Sequence, residues 1–563
     1  YNGEIYNHWD IRKKLTKKGY RFTSKSDTET LLYSWSEWKE ESLQYLNGIF
    51  SFAVFDIKKN KISIVRDQYG VKPLYIYKKG NAIAFSSEIK SFLSISDFDF
   101  TLDYNSIINY LTFLWSPGSK TMYKYVEKLV PGKIIEVDLD RMDITYKNGS
   151  FRCQNFSENN DLSEQDWVNK IDDALNKAVE RQMLSDAPLG FFLSGGLDSS
   201  LLVGIAKSQF PNRKFECFTV DQYKNSKGEG FLDDLPFAIE ISKRFDVSLN
   251  IIDNSHNWVS EFDKMVWHLD EPQADLAPIS VFKICERAKK MGIKVLIGGT
   301  GGDDIFSGYR RHQALMINEK TRYMPKIILS YISKIIRSLP SANKNIGRLQ
   351  RLSRDWGASD FNHLMGYFNW LPSNKFAYEI LNKQVRDLVG DYNPYSFGIN
   401  LLKKQSNLTK LSQMLYLEQK TFLIDHNLNY TDKLSMSQGV EVRVPFLDLN
   451  IVKVSNYIPD HFKMKKNIPK YILKKVGEKY LPKKVIYRSK TGFGAPIKNL
   501  IKNDFDGMIK KELNRTKIEN QGIFNFKMIK YMLSENKSNK HDFSHNILSL
   551  LSLQSWLKQF PWK

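Results

Sequence analysis

The stretch from Gly190 to Ser200, GFFLSGGLDSS, constrains the fold of this chain more than any other. An apolar run, Phe191 to Leu193, meets the turn Ser194-Gly195-Gly196. Asp198, Ser199 and Ser200 then open an apolar helical segment, Leu201 to Ala206. A strand that passes through a glycine-rich turn into a helix start offers free backbone N–H groups and the positive end of a helix dipole, the parts of an anion site. Gly195 and Gly196 let the main chain approach a phosphate with no Cβ in the way. The chain has no GxxxxGK[ST], and no Lys follows these glycines, so this is not a Walker loop. The bland alternative is a tight strand-to-helix turn, resting only on the turn propensity of Gly and Ser.

Downstream the pattern alternates. Apolar β-like runs fall at 190–193, 215–220, 248–252 and 294–297, with helical segments between them at 201–209, 235–245 and 279–291. Such alternation predicts a mostly parallel sheet with helices on both faces, whose ligands bind at the carboxyl ends of the strands. Three blocks sit at those ends: the SGGLDSS turn, the residues after Val220, and Gly298-Gly299-Thr300-Gly301-Gly302-Asp303-Asp304. Asp198 and Asp303 are the expected Mg²⁺ ligands, because Mg²⁺ on ATP takes hard oxygens and only one or two protein carboxylates. Asp233, Asp234 and Asp304 are the alternatives. Asp198 could also serve simply as a helix N-terminal acid that complements the dipole.

The 563 residues call for two or more domains, and 42% apolar content is enough for real cores. A net charge of +21 admits nucleic acid, anionic membrane or phosphate-bearing substrates. A Lys-rich surface explains it as well, and no RNA-binding signature or zinc-ligand cluster accompanies it. Three scattered cysteines, Cys153, Cys217 and Cys285, exclude a disulfide framework and fit a reducing compartment. No apolar run is long enough to span a bilayer. Ile327 to Leu339 is broken by Lys334 and Arg337 and reads as an amphipathic helix. The expected partners are therefore small molecules, without nucleic acid or membrane. A cytoplasmic location is expected, and a homodimer is compatible with the sequence.

The first half has a different texture. Short strands are expected at 50–55, 62–65, 74–77 and 82–85, with an early helix over 10–18. A strand over 133–137 closes this half, a polar linker follows over 138–161, and a helix starts at the capping box Ser163 to Asp166. Ordered blocks run through the region: Tyr1 to Asn7 (YNGEIYN), Ser26 to Glu29 (SDTE), Leu46 to Ala53 (LNGIFSFA), Arg66 to Tyr75 (RDQYGVKPLY) and Phe85 to Lys90 (FSSEIK). Further on come Asp270 to Asp275 (DEPQAD), Gly301 to Tyr309 (GGDDIFSGY), and Ser435-Met436 with Glu441 to Asp448 (EVRVPFLD). SGGLDS resembles the pyrophosphate loop of the ATP pyrophosphatases. The blocks together are similar to the glutamine-hydrolysing asparagine synthetase family over nearly the whole chain.

The resemblance implies residues 1–150 as an incomplete class II glutamine amidotransferase domain, an α/β/β/α sandwich. It implies 151–563 as a doubly wound parallel sheet of the ATP pyrophosphatase type with added helices. By the same resemblance Asn2 and Gly3 supply the oxyanion site for the glutamine amide, while Glu4 and Asp27 hold its α-ammonium. In isolation Asn2-Gly3 reads as a hairpin turn. The ATP site comprises Leu193, Ser194, Gly195, Gly196, Asp198, Ser199, Val220, Gly298 and Gly299. Lys470 and Lys490, in an otherwise solvated basic stretch, face the phosphates, where they would neutralise charge building on the leaving pyrophosphate. The family nucleophile is an N-terminal Cys that uses its own α-amine as base. It and an Arg that clamps the glutamine carboxylate lie upstream of the NGE segment, so several dozen residues are expected before Tyr1.

The implied chemistry uses glutamine as ammonia donor, ATP and Mg²⁺. A carboxylate is adenylated, and ammonia attacks to give an amide plus AMP. Aspartate is the default acceptor. One departure bears on it: Thr300 stands where the family usually carries an acid near the acyl-adenylate, and Thr cannot act as an anionic base. Gly301 to His312 and Tyr430 to Met436 are also similar to relatives associated with surface polysaccharides, which implies a uronic acid sugar as the alternative acceptor. An RNA-modifying ATP pyrophosphatase is a third reading, suggested by the basic charge and opposed by the amidotransferase blocks. A non-catalytic scaffold is opposed by the joint presence of Asp198, Asp303 and Lys490.

Overall fold

The computed structural model describes residues 1–151, 156–221, 234–253, 258–319, 324–339, 344–353, 356, 360–373, 375–488 and 495–563. Its first half is built on an antiparallel five-stranded sheet of β1 (Asn2–Ile5), β2 (Gly48–Asp56), β3 (Lys61–Arg66), β7 (Lys133–Asp138) and β8 (Asp143–Asn148), in the order β1-β2-β3-β7-β8. A second antiparallel sheet, β5-β4-β6, comprises β4 (Tyr75–Lys79), β5 (Ala82–Ser86) and β6 (Val126–Lys128). Helices α1 (His8–Thr16) and α2 (Asp27–Trp38) cover the outer face of the first sheet. The period-2 pattern decides which residues go where. Phe50, Phe52, Val65 and Ile134 turn to the helices and meet Ile11, Leu15, Leu31 and Trp35. Their neighbours Ala53, Ile64 and Ile135 turn the other way, onto Leu74 and Ile76 at the second sheet. Helix, sheet and sheet thus stack around two cores.

β8 corrects the linker expected over 138–161. Asp143–Asn148 is a sheet-edge strand with only Ile144 and Tyr146 as large apolar residues, so it carries too little alternation to be found from sequence. It pairs with β7 from Lys133↔Asn148 to Asp138↔Asp143. The capping box is present as expected: Ser163 Oγ accepts from the Asp166 N–H at 3.2 Å, and Asp166 Oδ2 accepts from the Ser163 N–H at 3.0 Å. After α3 (Tyr104–Phe113), this cap starts α4 (Glu164–Gln182), which buries Trp167, Ile171, Ala174, Leu175 and Ala178 on one face.

The second half holds a wholly parallel sheet of β9 (Leu189–Phe192), β10 (Glu216–Val220), β11 (Ser248–Ile252), β12 (Val295–Ile297) and β13 (Glu441–Arg443). The order is β11-β10-β9-β12-β13. The chain leaves β9 through α5 (Leu197–Gln209), moves outward to β10, α6 (Leu235–Phe245) and β11, then returns through α7 (Trp258–Leu269) and α8 (Ala277–Lys290) to β12 on the other side. The crossover direction reverses between β9 and β12, which places a crevice at their carboxyl ends. β12 runs into the short helix α9 (Gly302–Phe306). The expected strands and helices are all present. β13 is the fifth strand, missed because three residues carry no readable period.

Several of the later helices form a separate core, in which Leu364, Met365, Leu402 and Met414 meet Phe113 and Trp115. The amphipathic helix expected over 327–339 is found at Lys326–Ser338. Ser544–Gln559, near the C-terminal end, is a central element: Leu548, Leu551 and Trp556 are fully buried.

The two halves are joined by buried ion pairs. Lys72 meets Asp432 at 2.8 Å, Lys90 meets Asp270 at 2.7 Å, and Lys433 closes on the same Asp270. Lys128 lies 3.4 Å from Asp425 and 3.5 Å from Glu271. Asn47 donates to Asp448 at 3.0 Å, and Arg181 holds the same oxygen at 2.8 Å. Charges taken out of water at this density must be paired in fixed geometry, so they define how the halves dock.

Candidate active site

The SGGLDSS loop lies at the crevice. Leu193 is fully buried and donates its N–H to the Phe218 carbonyl at 2.8 Å, which extends the β9–β10 ladder to the brink of the turn. Ser199 in the first turn of α5 braces the loop from below: its Oγ accepts from the Ser194 N–H at 3.2 Å and lies 3.1 Å from Ser194 Oγ. The Gly196 N–H donates to Ser194 Oγ at 3.3 Å. Gly195 has φ +72°, and a Cβ there would sit 2.6 Å from the Ala238 nitrogen, so the loop can pass α6 only as glycine. Val220 closes β10 on one side of the loop, and Gly298-Gly299 leave β12 on the other. Thr300 is half-buried in the turn that follows.

Asp198 and Asp303 converge. Both carboxylates grip the ammonium of Lys470, Asp303 at 2.5 Å. Lys470 caps the helix Tyr471–Gly477 with φ +54°, a left-handed conformation that lets its side chain turn back toward the carboxylates. Burial alone would lower the pKa of this ammonium, but Asp198 and Asp303 outweigh it and hold the pKa above the usual lysine value. The site is therefore tuned for a cation between two hard-oxygen donors. Sequence reading paired Asp198 with Asp303 as hard-oxygen ligands and added Lys470 by resemblance; the geometry brings the three together.

Glycines surround this triad because nothing larger fits. A Cβ on Gly308 would fall 1.8 Å from Asp303 Oδ1 and 2.3 Å from Lys470 Cε. One on Gly302 would fall 3.0 Å from Asp198 Cγ. Gly308→Ala is accordingly expected to push Asp303 and Lys470 out of register and to lower ATP-dependent turnover about a hundredfold, the scale of an ångström-sized misplacement. Pyrophosphate release, measured beside an unchanged circular dichroism spectrum, checks it.

Two of the alternative metal ligands, Asp304 and Asp234, are engaged elsewhere. Asp304 is buried and turned to Tyr309, whose hydroxyl lies 3.1 and 3.2 Å from its two oxygens. Burial, with Glu418 and Asp303 nearby, pushes the Asp304 carboxyl well above its ordinary range. Asp234 pairs with Arg488 at 2.5 Å. Asp233 and Lys490 lie outside the described residues. Lys466, Lys479, Lys483 and Lys484 of the basic stretch are exposed as expected, but Lys463 is buried, and burial lowers its pKa despite Asp460 and Glu158.

Around Tyr309 the structure assembles a cluster that sequence reading missed. Asn427 donates to the Tyr309 hydroxyl at 2.9 Å, His312 meets Glu418 at 2.7 Å, and Arg311 pairs with Glu418 while its guanidinium lies 4.2 Å from the Tyr309 ring. Asn427 belongs to a π-helical turn, Leu423–Leu428, a distortion found frequently at functional sites. The sequence signals were the Gly301 to His312 block, which holds Tyr309, Arg311 and His312, and the neighbouring YTDKLSM block.

In the first half, Asn2, Gly3 and Glu4 lie on β1, beside β2. Asn2 Nδ2 donates to Ser87 Oγ at 3.3 Å. Asp27, at the start of α2, accepts from the Ile5 N–H at 2.9 Å and from the Tyr1 hydroxyl at 2.5 Å, which fixes it next to Glu4. Burial pushes the Glu4 carboxyl up to about 7, against the opposing pull of Arg443. Arg443 comes from β13, in the other half of the chain, and its guanidinium stands 3.4 Å from Glu4.

A two-sheet amidotransferase unit docked on a parallel sheet with acidic carboxyl ends defines the class of amidotransferase ligases. Within it the chain belongs to the asparagine synthase family, whose model matches residues 170–558, while the glutamine amidotransferase domain model matches 1–147. It is 29% identical to asparagine synthetase [glutamine-hydrolyzing] 1 of Bacillus subtilis over 99% of this chain and 84% of that protein. It is 26% identical to a putative asparagine synthetase of Mycobacterium bovis over 99% and 83%. It is also similar, at 25% identity over 93% and 80%, to amidase chyE of Penicillium rubens. ATP use is consistent with the family, and no described helix is long and apolar enough to cross a membrane.

Proposed function

We propose that this protein amidates a carboxylate with glutamine-derived ammonia through an acyl-adenylate, with aspartate as the first acceptor to test. The observation that carries the reading is the meeting of Asp198 and Asp303 on one cation beside a glycine loop at the carboxyl ends of β9 and β12. The backbone of residues 194–196 and the start of α5 bind the phosphates. Asp198 and Asp303 would hold Mg²⁺, for which two carboxylates plus substrate oxygens are a suitable donor set. When bound, the metal neutralises phosphate charge. Lys470, and Lys490 by resemblance, stabilise charge growing toward pyrophosphate. The acceptor oxygen attacks the α-phosphorus, pyrophosphate leaves, and ammonia then displaces AMP at the acyl carbon. Asn2 and Gly3 stabilise the oxyanion as the glutamine amide is hydrolysed, and Glu4 with Asp27 holds the glutamine α-ammonium.

A uronic acid acceptor is the second reading, favoured by Thr300 in place of the family's acid. Incubation with glutamine, ATP-Mg and either aspartate or a nucleotide-linked uronate separates the two. AMP and amide formed with aspartate support the first reading. Release only with the sugar acid rejects it in favour of the second.

A further inference from the structure

Arg443 of the EVRVPFLD block reaches the amidotransferase half with its side chain while its main chain serves the nucleotide half. Its guanidinium is buried and held from three sides: Nε donates to Glu441 Oε1 at 2.7 Å, and one terminal nitrogen donates to the carbonyls of Gln182 at 3.0 Å and Leu184 at 2.5 Å. The other terminal nitrogen faces Glu4 Oε2 at 3.4 Å, and the guanidinium carbon stands 5.4 Å from the Tyr6 ring centroid. Meanwhile the Arg443 carbonyl accepts from the Gly298 N–H at 2.8 Å, at the point where β12 gives way to the turn carrying Gly299 and Thr300. Four residues later Leu447 lies against Gly301 of the same turn, where a Cβ would approach it to 2.6 Å.

Glu4 therefore cannot take its place from the amidotransferase half alone. Burial and the negative charges of Asp27, Glu441 and Asp186 all oppose its ionisation, with Tyr1 and Tyr6 also close. Arg443 is the cation that acts against them. An arginine held by three other acceptors has little freedom to follow a substrate, so it acts as a fixed counter-charge.

We propose that Arg443 is a positioning residue for glutamine, contributed by the synthetase half: it fixes the Glu4 carboxylate as counter-charge for the glutamine α-ammonium, so the glutamine site is complete only when the two halves are docked. The inference rests on the proposed function and on the role given there to Glu4. Glutamine does not touch Arg443 in this scheme. The main-chain bond to Gly298 ties the same residue to the turn at the nucleotide crevice.

The test uses the full-length enzyme with Arg443→Met and Arg443→Lys. Glutamine-driven and ammonium-driven amide formation are measured side by side, with the pH profile of kcat/KM for glutamine. Arg443→Met is expected to raise the KM for glutamine about tenfold with kcat little changed, the scale of one charge-assisted contact, and to lower the ratio of glutamine-driven to ammonium-driven rate accordingly. The acid limb of the profile, expected near pH 7 in the wild type, should move to higher pH because the group that favours ionised Glu4 is gone. Arg443→Lys recovers part of both effects. A proportional fall in both ammonia sources, or an unmoved acid limb, would mean a purely structural arginine and overturn the proposal. A wild-type enzyme with no glutamine-driven amidation would instead overturn the proposed function, and this inference with it.

Discussion

Asp198→Asn is expected to reduce ATP-dependent pyrophosphate release about a thousandfold while the protein stays folded. The substitution keeps the shape of the side chain and removes its charge. Asp198 is one of two carboxylates that hold Lys470, and it stands in the first turn of α5, beside the glycine loop. Without it, Asp303 alone must balance the buried ammonium and supply the anionic oxygens for a divalent ion. Loss of a group that stabilises developing charge in a water-poor site carries costs of this order. The same argument limits the effect on folding, since an Asn can still accept a hydrogen bond from Lys470. Turnover is read by released pyrophosphate and stability by thermal unfolding. Release within tenfold of the wild type would show that the convergent aspartates do not handle ATP.

The second large effect concerns stability. Asp270 is fully buried and serves both halves: it pairs with Lys433 of its own half and with Lys90 of the amidotransferase half, and it accepts the Ile89 N–H at 3.0 Å. Its own carbonyl accepts from the indole of Trp556 at 2.7 Å, which locks the turn after α7 to the C-terminal helix. Asp270→Ala leaves the buried Lys433 without its ion-pair partner and Lys90 with Glu88 alone, and a loss of about 3–5 kcal/mol is expected. Replacing Lys433 by Met in the same background should recover part of it. Burial raises the Asp270 pKa, but Lys433 and Lys90 overcome burial, and the folded carboxyl stays below its ordinary value of 3.8. Its contribution is therefore complete above about pH 4 and is lost as pH falls through the lower, folded value. Denaturant unfolding of wild type and variant across pH 3 to 7 checks both the size and the window: the gap between them should be constant at neutral pH and shrink in acid.

What could be read from the residues alone follows from how locally each feature is encoded. β9, its loop and α5 were legible because strand, turn and helix follow one another in a single run from Leu189 to Gln209. The alternation that gave β10 to β12 was legible for the same reason. β13 was not: three residues, Glu441–Arg443, become a strand only because β12 offers them a partner edge. β8 was hidden by its place at the sheet edge, where one apolar face suffices. The chemistry divides in the same way. Asp198 and Asp303 stand next to glycines in recognisable blocks. The ion pairs joining the halves link residues such as Lys72 and Asp432 that are remote in sequence, and no spacing rule connects them. The turn of Asp304 away from its neighbour Asp303 also needed the fold, since only the buried Tyr309 cluster decides it.

The proposed function requires that the acceptor carboxylate be joined to AMP before ammonia reaches it. An acceptor acid labelled with ¹⁸O in its carboxylate tests this most directly, because bond formation at the α-phosphorus carries one acid oxygen into the nucleotide product. With aspartate or a nucleotide-linked uronate so labelled, together with ATP-Mg and ammonia, mass spectrometry should find AMP bearing a single ¹⁸O and unlabelled pyrophosphate. ADP with labelled phosphate, or unlabelled AMP accompanying amide formation from either acid, would contradict the account.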